Sequence, residues 1–381
     1  MTSAITLTGV LANSLVAPAL PDIARDLDVS EGGIGLVVAA ASLPGVVVAP
    51  LIGVAADRLG RRAVIIPCLV VFGVGGLVGM AALSYPMLLA ARFLQGFGAA
   101  GLVNLAVVMI GDRYDDPHQR AAAIGRNGAV LTMGLAVLPM IGGALTALGG
   151  WRASMAPFAV SFAVAVAAAR ILPPGAPVGA VGLGEQVRGA GRYLRDGRVM
   201  AMNAAGVVAF MLIFGVVLTV LPVHLDQRFG AGPALRGAIL GLAALAAAAV
   251  SLGMGRLSAR FGTWTLVSGG LVVFALAFSG VAAAPSVGLT GAAVVLYGMG
   301  EGLVITPLQA YAAGLAPAAH RGLVVALWVS AARGGQALGP VLAGAALGAF
   351  GTRGAFVAGG VTAAAGAGAI VAVRSRYLDR T

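Results

Sequence analysis

One carboxylate and two guanidiniums stand where a polypeptide rarely keeps charge. Of the 13 acidic residues, Glu301 alone falls near the middle of a long apolar run, in Gly298-Met299-Gly300-Glu301-Gly302. Arg92 and Arg333 are likewise enclosed by apolar sequence. A carboxylate removed from water is costly unless it is paired, protonated or turned toward a water-filled path. Glu301 is therefore a candidate to bind and release a proton, and a structural ion pair with Arg333 is the competing role. Arg92, three residues before Gln95, is a fixed positive charge that could tune a nearby proton site or hold an anion. Its structural alternative is bonding to backbone carbonyls at a helix kink. The chain shows no Cys/His metal spacing, no nucleophile elbow and no phosphate loop, and Cys68 is its one cysteine. No catalytic residue, metal or cofactor is expected, and neither enzymatic activity nor ATP drive. Gly96-Phe97-Gly98-Ala99-Ala100-Gly101 matches a dinucleotide pattern, but it lies inside an apolar run and not between a strand and a helix.

The elements that hold these charges follow from composition. Of 381 residues, 60% are hydrophobic and 10% charged, and mean hydropathy is +1.00. A soluble domain carries about 25% charged residues, so a soluble enzyme and a disordered chain are both excluded. Helix packing in lipid favours small residues, which accounts for the 59 glycines. Runs long enough to cross a bilayer, about 20 residues each, predict twelve spans: 4–21, 32–54, 63–83, 87–110, 122–146, 153–171, 199–222, 236–256, 264–284, 288–312, 322–348 and 354–373. The first lacks a basic leader and a small-residue cleavage site, so it reads as a span and not a signal peptide.

The net charge of +11 comes entirely from arginine. These residues sit at the ends of spans and not in one patch, which argues against nucleic acid. With the N-terminus in the cytoplasm, 17 arginines fall on the inner side and 5 on the outer. That excess supports an even number of spans with both termini cytoplasmic. The stretch 173–198 is the longest hydrophilic segment, and Arg188, Arg192 and Arg195 share a helical face within it. It reads as a cytoplasmic linker between a six-helix bundle at 1–172 and another at 199–381. The halves repeat. Gly53-Val-Ala-Ala-Asp57-Arg58-Leu-Gly60 resembles the run Gly255 to Gly262, and Gly134 to Gly143 resembles Gly335 to Gly344, at offsets of 202 and 201. Such a duplication suits alternating access around a midplane site.

Three motifs now carry a resemblance to the major facilitator superfamily over nearly the whole chain. The loop Gly53…Asp57-Arg58-Leu-Gly60-Arg61-Arg62 is similar to that family's loop between helices two and three. Arg92-Phe-Leu-Gln95-Gly96-Phe-Gly98 is similar to its helix-four signature. Gly125, Gly134, Pro139, Gly142 and Gly143 resemble the span-five motif of the twelve-helix drug:proton antiporter branch, except that Leu138 stands where that motif has glycine. The resemblance implies an all-α membrane fold of two pseudo-symmetric six-helix bundles. It implies a cytoplasmic gate built on Gly53, Asp57, Arg58, Gly60, Arg61, Arg62 and Asp112, with Asp112 as partner of Arg61. Asp57 is also placed to accept from a helix N-terminus. Pro139 should bend span five, and its copy at Gly335, Gly339 and Pro340 should bend span eleven. Exporters of this branch carry an acid on helix ten, which matches Glu301, and the family assigns the helix-four arginine, here Arg92, a part in coupling.

Because this fold lines its cavity with spans one, four, seven and ten and their neighbours, the candidate cavity residues are Asn13, Gln95, Asn104, Met133, Asn203, Phe210, Phe214, Gln309, Trp328 and Arg333. Packing or lipid contact is the plainer role for each aromatic. His224, at the outer end of span seven, reads as a solvated interface histidine, with a proton relay as its alternative role. The expected activity is proton-coupled export of an amphipathic small molecule from the bacterial cytoplasm across the inner membrane, by a monomer whose partners are substrate, protons and the lipid bilayer. Import of an organic anion or metabolite, and lipid flipping on the same fold, are the alternatives.

Overall fold

Inside a bilayer the backbone must satisfy its own polar groups, which leaves the helix as the structure for an apolar run. The computed structural model describes residues 1–114, 116–173, 193, 195–315 and 321–373, and these are helical almost throughout. The helices are α1 (Thr2–Asp26), α2 (Ile34–Leu59), α3 (Arg61–Met80), α4 (Tyr85–Arg113), α5 (Pro117–Ala153), α6 (Val160–Ile171), α7 (Gly197–Phe229), α8 (Pro233–Leu252), α9 (Thr263–Ala283), α10 (Val287–Gly314) and α11 (Arg321–Val373). A short helix, Met254–Arg260, joins α8 to α9. Ten of these stretches are long and apolar enough to cross a membrane, and Ala156–Ile171 is a shorter apolar helix. The 53-residue α11 turns at Gly351 (φ 66°), so it supplies two of the expected spans. The expected start of span six at 153 moves, because Ala156–Ala159 forms a 3₁₀ turn before α6. Arg188, Arg192 and the helical face proposed for them lie outside the described residues.

Local chemistry sets the ends. Asp116 accepts from the backbone N–H groups of His118 (3.2 Å) and Gln119 (3.3 Å) at the start of α5, with Pro117 in its first turn. Asp196 accepts from Arg198 N–H (2.8 Å) at the start of α7. Gly60 separates α2 from α3 at φ 89°, a conformation that costs a side chain and suits glycine. Within α7, Ile213–Val220 is a π-helix, and Thr219 Oγ1 donates to Phe214 O five residues back (2.8 Å).

The described residues form two compact units. One comprises Met1–Ser30, most of 36–173 and Gly232–Gly241; the other comprises Glu31–Gly35, 195–231, 242–315 and 321–373. Each unit thus includes a short segment from the opposite half of the sequence. Within the first, a β-carbon on Gly142 would strike Leu15 O, and one on Gly143 would strike Pro233 O. Gly237 meets Pro139 O in the same way. Within the second, Gly35 meets Pro340 O and Gly339 meets Met211 O. Backbones therefore touch where side chains would hold helices apart, the packing that small residues permit in lipid. The side chains left exposed include Leu148 (87%) and Leu252 (90%), as a lipid-facing surface allows.

Candidate transport site

Glu301 sits on a helix with little room around it. A β-carbon on Gly300 would lie 2.9 Å from Gly270 O, and one on Gly302 would lie 2.7 Å from Ala247 O. The glycines thus bring α10 close to both α8 and α9. One turn before the acid, Tyr297 Oη donates to Glu301 Oε2 at 2.8 Å. The spacing of four residues places both on one helix face. Tyr297 is 1% exposed and stacks on Phe274 (4.8 Å between centroids) and Phe278 (5.7 Å), so the donor is held rigidly while Glu301 itself is half-buried. Arg333 does not pair with it. Its Nη1 donates to Gln336 Oε1 at 3.3 Å, on its own helix. Among the described residues, no carboxylate lies within ion-pair distance of Arg333.

Arg92 is 1% exposed and uses four of its five N–H donors. It donates to Val37 O (3.1 Å), Ala12 O (2.7 Å), Gln95 Oε1 (2.5 Å) and Asn13 Oδ1 (2.5 Å). Asn13 in turn donates to Ser42 Oγ (3.2 Å). The guanidinium therefore ties α1, α2 and α4 together through neutral acceptors, two of them the backbone carbonyls of its structural alternative.

At the α2–α3 turn, Arg61 binds Asp57 and also donates through Nε to Asp112 Oδ2 at 3.0 Å. The Arg61–Asp112 pair is the one the sequence leads one to expect. Asp57 departs from expectation: no side chain caps α3, and its carboxylate is taken by Arg61 one turn later. Arg62 donates to Leu172 O (3.1 Å), fastening this turn to the end of α6, while Arg58 is exposed.

The remaining candidates scatter. Phe210 stands 6.1 Å from the Trp328 ring and 6.4 Å from Phe214, and Trp328 (5% exposed) covers Gly206. These aromatics pack against one another where α7 meets α11. Gln95 is wholly buried, Asn104 and Asn203 are half-buried, and Met133 and Gln309 are exposed. Gly134 packs on Leu7 and Gly335 on Val207 O, whereas Gly53 and Gly125 face open space. His224 corrects the expectation of a solvated residue. It is wholly buried between Phe229 (5.9 Å) and Phe356 (5.3 Å), with Nδ1 2.9 Å from Thr352 Oγ1, because the chain beyond Gly351 folds over it.

Several polar pairs escape a reading of the sequence. Arg236, wholly buried in the first turn of α8, binds Asp22 Oδ2 at 2.5 Å. Asp26 accepts from Trp151 Nε1 (2.9 Å) and Arg152 Nη1 (2.6 Å). Ser251 and Thr306 bridge α8 and α10 at 2.8 Å. Only Tyr297, at four residues from Glu301, left a local signal.

Comparison with known proteins adds the following. The family model described as "Major Facilitator Superfamily" matches residues 2–226 and 203–380. The chain is 32% identical over 149 residues to the "Bacillibactin exporter" of Bacillus subtilis, covering 38% of this chain and 37% of that protein. It is 34% identical over 149 residues to "Multidrug resistance protein D" of Escherichia coli, covering 38% and 36%. The matched stretch thus spans little more than a third of each relative. A solved POT family transporter in complex with 5-aminolevulinic acid superposes with a TM-score of 0.82, at 14% identity, covering 99% of this chain and 96% of that one.

Proposed function

This chain belongs to the major facilitator superfamily as an integral membrane protein, and from that premise we propose that it is a secondary transporter exporting an amphipathic small molecule in exchange for protons. The observation that carries this reading is the Glu301–Tyr297 pair. Glu301 is a half-buried carboxyl in the interior of α10, held by a neutral hydroxyl at 2.8 Å and, among the described residues, by no cation. A carboxyl placed so can gain and lose a proton without breaking an ion pair. Relatives named as an exporter and as a multidrug resistance protein support the outward direction.

In this reading Arg61, Asp57 and Asp112 latch the cytoplasmic end. Pro139 with Gly142 and Gly143, and Pro340 with Gly335 and Gly339, are the hinge positions of alternating access, although the backbone stays helical at both prolines in this structure and departs from helix at Gly149, Gly150 and Gly351. Arg92 sets the positions of α1, α2 and α4 around the path. The test uses proteoliposomes with a trapped pH dye and an imposed pH gradient. A panel of amphipathic compounds is added to the wild type and to Glu301→Gln. A compound that moves protons through the wild type and not through the variant supports the reading; a Glu301→Gln protein that still transports uphill under the gradient overturns it.

A further inference from the structure

The two arginines inside the spans are treated very differently by their surroundings. Arg92 has four acceptors on four residues. Among the described residues Arg333 has one, and it is neutral and distant at 3.3 Å. A guanidinium carries five N–H donors in a planar fork suited to a carboxylate or phosphate. The Arg333 fork therefore retains most of its bonding capacity.

Arg333 cannot recover that capacity from the membrane surface. It lies twelve residues into α11, about 18 Å along the axis from Arg321, and farther still from the turn at Gly351. Nor does it face lipid. Leu338 and Leu342 are 53% and 54% exposed, and at 100° per residue Leu342 falls diametrically opposite Arg333. Pro340 and Gly344, which pack on Gly35, share the arginine's side of the helix. Half-buried on the side of the helix opposite the exposed Leu342, Arg333 presents a positive fork that no carboxylate among the described residues neutralises.

We propose that Arg333 receives the anionic group of the transported molecule, so that the substrate class is an amphipathic organic anion bearing a carboxylate, sulfonate or phosphate. This rests on the transport reading above and narrows it. A bidentate pair between the guanidinium and the anion supplies both charge balance and the missing acceptors.

The test is binding, without a pH gradient, so that it fails separately from proton exchange at Glu301. The purified full chain is placed in nanodiscs of phosphatidylcholine and titrated with radiolabelled naphthoate and with naphthamide, its neutral counterpart. The wild type is expected to bind naphthoate roughly tenfold or more tightly than naphthamide. Arg333→Gln should bring that ratio near one with naphthamide affinity unchanged, which also shows that the variant is folded. Arg333→Lys should keep part of the preference. Equal affinity for the two probes, failure of the wild type to bind naphthoate, or a preference that survives Arg333→Gln overturns the proposal. Repeating the titration in phosphatidylglycerol nanodiscs identifies the source of the anion. Loss of the naphthoate preference there assigns the fork to a lipid headgroup, and its retention assigns it to a soluble anion.

Discussion

Arg236 Nη2 lies 2.5 Å from Asp22 Oδ2, joining the first turn of α8 to the end of α1 inside one unit, with none of the arginine exposed. Asp22 also holds Arg25 at 2.8 Å, so it serves one cation in the interior and one at the surface. Neutralising Asp22 takes a charged partner away from a wholly buried guanidinium, which is destabilising. Asp22→Asn is expected to lower the thermal midpoint in detergent markedly. Reversing the pair, Asp22→Arg with Arg236→Asp, should recover part of the loss. An unchanged midpoint for Asp22→Asn would show that the carboxylate does not hold Arg236.

The glycines of α5 should separate cleanly by the space around them. A methyl group on Gly142 overlaps Leu15 O, a backbone atom that cannot swing aside. Gly142→Ala should therefore abolish transport or folding. Nothing lies within 4 Å of the corresponding point on Gly125, so Gly125→Ala should be tolerated and gain about 0.5–1 kcal/mol from the lost flexibility of glycine. Parallel expression and transport assays of the two variants decide the matter, and equal tolerance of both would refute the packing argument.

Arg92→Lys is expected to behave as a loss of structure. A single ammonium with three donors cannot reach acceptors on Val37, Ala12, Gln95 and Asn13 together. The buried side-chain carbonyl of Gln95, left without a donor, costs about 1–3 kcal/mol. Size-exclusion profiles and thermal midpoints should show a protein less stable than one carrying Arg333→Lys. A stable Arg92→Lys protein with slow transport would instead point to a direct part in coupling.

The Arg61 pairs should act on rates and leave stability nearly unchanged. Asp112 is about half exposed, and pairs of that kind contribute about 1 kcal/mol at most. Asp112→Asn should shift the thermal midpoint little and alter transport measurably, more at low salt than at high salt. A large loss of stability would mean that the turn is a fold anchor and not a latch.

How much of this was legible depended on distance along the chain. Spans, turns and the helical class follow from apolar runs and from residues such as Asp116, Asp196 and Gly60, whose effects are local. Glu301 announced itself by being the lone acid inside a span, and Tyr297 lay within one turn of it. Arg61 with Asp112 was accessible through the resemblance. Asp22 with Arg236 was not, because each ends an apolar run and no local pattern pairs them. His224 was misread for the same reason: Phe356 and Thr352, which enclose it, arrive more than a hundred residues later. Asp57 faced two local options, a helix terminus and Arg61, and spacing alone does not choose between them.

The segments that each unit borrows from the other sequence half have a consequence for biogenesis. Gly32 and Gly35 emerge from the ribosome early, yet Pro340 and Gly344, against which they settle, are made near the end of synthesis. Pro139 and Gly143 likewise wait for Gly237 and Pro233. Neither unit can reach its final packing while the chain is still nascent, since contacts this distant close last. The first helices must therefore remain inserted and incompletely packed until most of the polypeptide has followed them into the bilayer.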